Sequence, residues 1–184
     1  MFEHPHPNRI NLATSTISML LVFGMIVGIT ESIVSATTES RVQKRDFLTL
    51  KEIEKLQEAQ RIDLRVKLLV ESADIRFALL GSRQPPKRST KEWGEPPSGT
   101  REELLRDIDR IIMKAIDDLD YAASLETDSK FFRNAFSRLR TSCEEYDGHL
   151  RRLLDATTEQ RERGVILSAL ERCQQVAEAS SKVP

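Results

Sequence analysis

Between Leu105 and Leu153 the apolar residues return every three or four positions, and no other feature narrows the choice of fold as much. One register runs Leu105, Ile108, Ile112, Ala115, Leu119, Ala122, and the next runs Phe132, Phe136, Leu139, Cys143, Tyr146, Leu150, Leu153. Spacing of this kind draws a stripe down one side of an α-helix, suited to packing against a partner helix as in a coiled coil. Ile62, Val66, Leu69, Ala73, Phe77 and Leu80 form an earlier stripe, and Ile166, Ala169, Cys173 and Val176 form the last.

Each stripe has a start signal in front of it. In a capping box, Ser or Thr is followed three residues later by Glu or Gln, and two orphan backbone donors are satisfied reciprocally. Thr49 with Glu52, Thr100 with Glu103 and Thr157 with Gln160 fit that pattern, and Leu48 and Ile53 are placed as a hydrophobic staple across the first. The third helix has Thr127, Asp128 and Ser129, any of which can cap.

The spacing predicts helices over about 50–81, 101–125, 129–155 and 158–180, with a Pro-rich loop at 82–99. Connections near Glu126 and Ala156 are short, so consecutive helices should fold back on one another. The expected fold is all-α: an antiparallel four-helix bundle over 49–184, preceded by an N-terminal hydrophobic targeting helix and a linker at 37–48. A three-helix body with a loosely docked first helix is the structural alternative, because the Pro-rich loop is long. Composition agrees with helices: 31% charged residues, with 7 Gly and 7 Pro in 184 residues.

The chain begins differently. Residues 17–29, ISMLLVFGMIVGI, carry no charge, and Glu31 follows closely. A transmembrane helix needs about 20 apolar residues. A signal peptide fits better, with Arg9 in its basic region, Ile17 to Ile29 as its apolar region and Val34-Ser35-Ala36 as a small-residue cleavage site. Against it stand Glu3 near the start and Arg41, Lys44 and Arg45 beyond the segment, since basic residues favour the cytoplasmic side. The alternative is a retained membrane anchor over residues 12–30. The expected location is therefore outside the cytoplasm, periplasmic or extracellular after cleavage near Ala36, or anchored to the membrane. Once Arg9, Glu3 and Glu31 are set aside with residues 1–36, 27 basic and 27 acidic side chains remain, so no basic excess points to nucleic acid.

Cys143 and Cys173 are the two cysteines. Their midpoint, residue 158, falls in the turn between the last two helices, so an antiparallel hairpin places them face to face. In an oxidising compartment that register predicts a Cys143–Cys173 disulfide; two buried thiols are the alternative. No C-x-x-C or nearby base visible in the sequence lowers either thiol's pKa, which weighs against a catalytic role.

Other chemistries are removed by spacing. Covalent haem lacks its C-x-x-C-H. Met113 and His149, the only Met and His after Ala36, fall eight residues out of register, about 12 Å along a helix, so Met113 reads as core filler and His149 as a surface residue. The bundle-type metal site needs Glu-x-x-His motifs that are absent. Asp107, Asp109, Asp117, Asp118 and Asp120 interleave with Arg106, Arg110 and Lys114 as a solvated helix face does. No nucleophile elbow, EF-hand or phosphate loop is present. No catalytic, metal or cofactor residue is therefore assigned. Paired carboxylates leave no short signature and are untouched by this elimination.

One stretch remains for function. The segment GSRQPPKRSTKEWGEPPSGT, residues 81–100, holds four Pro, the only Trp and the densest basic run. Loops of that length inside a compact domain tend to be functional or disordered. Arg83, Lys87, Arg88, Lys91 and Trp93 are candidate contacts for an acidic partner; the plainer reading folds Trp93 back as a cap on the bundle. The expectation is a non-enzymatic helical interaction or scaffold protein of the cell envelope with a protein partner. The alternative is a ligand or cofactor carrier with a pocket between helices.

Overall fold

The computed structural model describes residues 45–125 and 129–180. The predicted targeting helix and cleavage site lie outside them. Among the described residues there are only helices: α1 Leu50–Glu58, α2 Ile62–Leu79, α3 Thr90–Trp93, α4 Arg101–Leu125, α5 Lys130–Asp155 and α6 Gln160–Ser180. None is long and apolar enough to cross a membrane.

Four long helices, α2, α4, α5 and α6, share one core. The stripes face inward: Val66, Ile108, Leu150 and Ile166 have no exposed surface, and Leu69, Ile112, Ala115, Leu139 and Tyr146 are nearly as enclosed. Around the core the order is α2, α4, α6, α5, with α2 and α6 on opposite corners and α4 and α5 barely touching. Consecutive helices do run in opposite directions. Arg65 pairs with Asp118 and Arg76 lies near Asp107, which sets α2 against α4 head to tail. Asp109 meets Arg172 and Arg101 meets Glu162, so α4 and α6 are parallel. Tyr146 bonds the Val70 carbonyl and the rings of Phe77 and His149 meet at 5.7 Å, so α2 and α5 are parallel too.

The charges on α4 account for the diagonal step from α4 to α5. At 3.6 residues per turn, Asp107 and Asp118 fall on one flank and Asp109 on the other. The first flank holds Arg45 and Arg65, and the second holds Ser168 and Arg172 of α6. Both sides of α4 are occupied, and α5 is left the far corner. The acidic run is thus no solvated face: three of its five carboxylates pin α4 to its neighbours. Met113 is also corrected, since it is exposed and not core filler, while His149 is half-buried with its Nδ1 accepting from Arg152.

The first predicted helix is two. The chain breaks at Ala59–Arg61, both extended, and α1 folds back along α2. On a continuous helix Glu52 and Arg76 would stand about 36 Å apart; here they form a two-bonded ion pair of 2.7 and 2.8 Å. Arg65 seals the break by donating to the Leu56 and Ala59 carbonyls, the orphan acceptors at the end of α1. Capping boxes form at Thr49–Glu52 and Thr100–Glu103, and Ser129 caps α5. The third expected box does not form. Thr157 accepts from the Glu159 amide and donates to Glu162, so α6 starts at Gln160.

Candidate functional site: a strap over the first helix

After α2 the chain stops in a Schellman turn. The Ser82 amide bonds the Phe77 carbonyl and the Gly81 amide bonds that of Ala78, with Gly81 at φ +71°. Residues 82–100 then pass over α1 as a strap, using the single turn α3 as its middle. Lys55 of α1 bonds Glu92 at 2.9 Å, and Arg88 bonds Glu52 at 3.2 Å. Gly94 makes the close approach: its φ is +69°, and an added Cβ would lie 3.0 Å from Lys51 Cγ. The four strap prolines supply stiffness without needing amide partners.

Beneath the strap is a charged interior. Arg76 is 1% exposed and Glu52 3%. Besides Glu52, the Arg76 guanidinium donates to the carbonyls of Ser72 and Phe47. Glu52 also accepts from the Thr49 amide, so one carboxylate serves the α1 cap, Arg76 and Arg88 together. Burial pushes its pKa up, but the bonds from Arg76, Thr49 and Arg88 outweigh that and hold it below the usual carboxylate range. Asp107 completes the group, gripped by Arg45 through two bonds of 3.1 and 2.8 Å.

Trp93 lies at the surface of this interior, half-buried, with Arg88 Cζ 3.8 Å and Lys55 Nζ 4.6 Å from its ring centroid. It packs on α1 and not on the end of the bundle. Two clefts open beside it: one of about 420 Å³, lined among others by Arg45, Arg76 and Trp93, and one of about 200 Å³, lined by Ile75, Pro86, Arg88 and Trp93. Pro96 and Pro97 border both.

The five loop residues singled out from sequence therefore separate. Arg88 and Trp93 come together, stacked. Arg83 is elsewhere, bonded to Asp74 and Glu145 at 2.9 Å each. Lys87 and Lys91 are exposed. Sequence reasoning assigned Glu52 only to a cap and did not find Arg76, Asp107 or Arg45. The available signal was Arg76 itself, a charge lying between Ala73 and Phe77, both buried in the α2 stripe.

Asp74 belongs to a second polar group, accepting a 2.8 Å bond from the Tyr146 hydroxyl. Burial raises the Asp74 pKa, against the pull of Tyr146 and Arg83. The cysteines sit on the outer seam of α5 and α6. The neighbouring Cys173 thiol and burial both push the Cys143 pKa up. Both cysteines are free, so the predicted disulfide is not formed in this structure, although its register is met. Among the described residues no group of three or more His, Cys, Asp or Glu could hold a metal. Compared with protein-family models, curated proteins and solved structures, the chain finds no match.

Proposed function

We propose that this chain is a helical interaction protein of the cell envelope, exported or membrane-anchored through residues 1–36, that binds a protein partner through the strap and α1. The observation that supports this reading is the strap. A connection from α2 to α4 along the bundle edge needs few residues. This one uses about twenty to fold over α1 and present Trp93, Arg88 and two exposed lysines beside open clefts. An indole with stacked cations is the kind of rigid, amphipathic anchor that concentrates binding energy at interfaces. The preferred form of the segment before it is a cleaved signal peptide ending at Ala36, and a retained hydrophobic helix is the alternative. On this reading the four-helix body is a platform outside the cytoplasm.

In that compartment the neighbouring thiols of Cys143 and Cys173 would close to a disulfide. Each loses a proton, and the pair passes two electrons to a disulfide-donating oxidoreductase. N-terminal sequencing and thiol counting on protein from its native host test location and staple together. A chain starting at Thr37 with no free thiol supports the proposal; an intact Met1 with two free thiols in a soluble cytoplasmic fraction overturns it. For the partner, a photocrosslinker at Lys91 should join one identified protein that the same group at Leu167, on α6, does not join. Equal labelling from both sites would remove the strap from the account.

The alternative, a ligand carrier, draws on a different observation. A cleft of about 370 Å³ opens between α4, α5 and α6, lined by Ile116, Leu119, Phe132, Phe136, Leu139 and Val176. Co-purification of a lipid or other apolar molecule, lost on substituting Phe136, would favour that reading.

A further inference from the structure

We infer that residues 45–58 are exchanged between two copies of this chain, each α1 lying under the strap of the other in a two-fold dimer. The inference is independent of the location of the chain and of the partner proposed for its strap.

The hinge between α1 and α2 carries no local reason to bend. Other junctions have one: Gly81 and Gly94 close α2 and α3 at positive φ, and Thr100 and Ser129 cap α4 and α5. Here α2 starts after Arg61 with no side-chain cap, and α1 ends at an extended Ala59. The three residues of the break, Ala59, Gln60 and Arg61, are strong helix formers. Ala59 and Arg61 have φ of −75° and −87°, inside the helical range, and only their ψ of 102° and 138° is extended. The apolar intervals pass through the break, so a straight α1–α2 helix of about 45 Å keeps one stripe. Straightening also gives the Leu56 and Ala59 carbonyls intrahelical partners in place of Arg65.

The contacts that seat α1 in its slot are distant in sequence, and a second copy supplies each of them. Glu52 meets Arg76 and Arg88, Lys55 meets Glu92, and the Phe47 carbonyl accepts from Arg76. Polarity permits the exchange. A straightened α1 runs in the direction of its own α2. A copy turned end over end about an axis at the hinge presents an α2 running the opposite way, which is the orientation α1 now has against its own. Every contact given up within a chain is then regained between chains, the condition for domain swapping.

The end of the bundle at the hinge offers the second copy an apolar surface. Leu125 is 69% exposed and Tyr121 67%. Leu64 and Phe131 are exposed as well, the latter with Arg61 Cζ 4.2 Å from its ring centroid. These side chains belong to the end of α4, the start of α2 and the start of α5. Arg65 bonding Asp118 sets the end of α4 beside the start of α2, and Arg61 over Phe131 adds the start of α5. Large apolar side chains exposed together mark contact surfaces. In the exchanged pair two such ends face each other across the axis.

The Lys55–Glu92 ion pair makes the test direct. Light and heavy isotope forms of the full chain are mixed equally in mild detergent, unfolded, and refolded together at high concentration. A carbodiimide then joins the Lys55 amine to the Glu92 carboxylate as an amide with loss of water, and the linked peptides are weighed by mass spectrometry. In the dimer fraction about half of that product should be mixed light with heavy, the share that random pairing of exchanged chains gives. A chain folded on itself gives like pairs only. Gln60→Pro suits the bent hinge, where the preceding Ala59 is extended, and forbids the straight helix. It should lower the mixed share roughly tenfold or more while like pairs persist. Absence of a dimer, a dimer with like pairs only, absence of the product in every form, or an undiminished mixed share in Gln60→Pro would each overturn the inference. The isotope pairing in the unaltered chain decides the matter even should the Gln60 variant fail to fold.

Discussion

Two helical hairpins in this molecule close with the same device and are held by opposite means. In the α1–α2 hairpin, Arg65 reaches back to the carbonyls nine and six residues earlier, Leu56 and Ala59. In the α5–α6 hairpin, Arg163 reaches back to the carbonyls nine and six residues earlier, Leu154 and Thr157. Beyond the turn they diverge. The first is fastened by the buried Arg76–Glu52 pair, and the second by an apolar seam that runs through Leu150, Ile166, Cys143 and Cys173. A turn can thus be specified locally while the choice of what fastens the arms is left to distant residues.

The largest expected effect separates the two fastenings. Arg76→Ala strands the Glu52 carboxylate in a site already desolvated, and breaking such a pair costs about 3 to 5 kcal/mol. Denaturant melts should show that loss, and hydrogen exchange should show it first in α1 and the strap, with the α5–α6 seam still protected. Uniform loss of protection across both hairpins would mean that the first is no separate unit. Acid should act in the same direction. The Glu52 pKa is lowered on folding, so its contribution is fully present above the ordinary carboxylate range. It is lost as pH falls through the lowered value. Glu52→Gln should flatten that acid limb.

Next in size is the thiol pair. Closing the Cys143–Cys173 loop is expected to stabilise the oxidised protein by about 3 to 4 kcal/mol over the reduced form, less any strain. The reduced form should also weaken in alkali. Its Cys143 pKa is raised on folding above an ordinary value of 9.0, so the unfolded thiol ionises first and stability declines as pH rises past that point. Oxidation removes the titrating group and should remove the alkaline decline. An identical alkaline limb in both redox forms would place its origin elsewhere, and an unchanged denaturation midpoint would show that the loop carries no entropic gain.

These contrasts also explain what the sequence allowed to be read. The all-helical class, the stripes and the thiol register of α5 and α6 follow from local spacing, because each residue's partner lies on the next helix at a distance set by one short turn. The break at Ala59–Arg61 does not follow from spacing. Residues 53, 56, 59, 62, 66 and 69 keep helical intervals straight through it, and the chain turns where Arg65 closes on the Leu56 and Ala59 carbonyls and Arg76 pairs with Glu52. Asp107, Asp109 and Asp118 were misread for the same reason, since a solvated carboxylate and an interhelical pin look alike until the neighbouring helix is placed. In the strap, basic residues read as one patch have different fates: Arg88 is drawn to a buried carboxylate, Arg83 to another helix, and the lysines to solvent.

The shared turn device gives a sharper test. Arg65 carries a second task, bonding Asp118 of α4, and Arg163 has no carboxylate partner among the described residues. Hydrogen bonds from a charged donor contribute roughly 1.5 to 3 kcal/mol. Arg65→Ala should therefore fall at the upper end of that range and Arg163→Ala at or below the lower end. Asp118→Ala should bring the two arginine effects closer together. Equal losses without that second substitution would show that the carbonyl seal alone matters.

The smallest expected difference lies at the helix starts. Thr49 caps α1 through a closed box in which Thr49 Oγ1 accepts from the Glu52 amide and Glu52 returns to the Thr49 amide. Thr49→Ala should cost about 1 kcal/mol. At the start of α6 the residue in the corresponding box position, Gln160, is the first helical residue and exposed, while Thr157 turns to Glu162. Gln160→Ala should then stay within about 0.5 kcal/mol, as for surface positions without a structural task. A cost for Gln160 matching that of Thr49 would mean that the reciprocal box forms in solution, and that both hairpins enter their helices by the same chemistry. The expected inequality instead assigns the entry of α6 to Thr157 and Glu162, leaving the fastening of this hairpin to its seam.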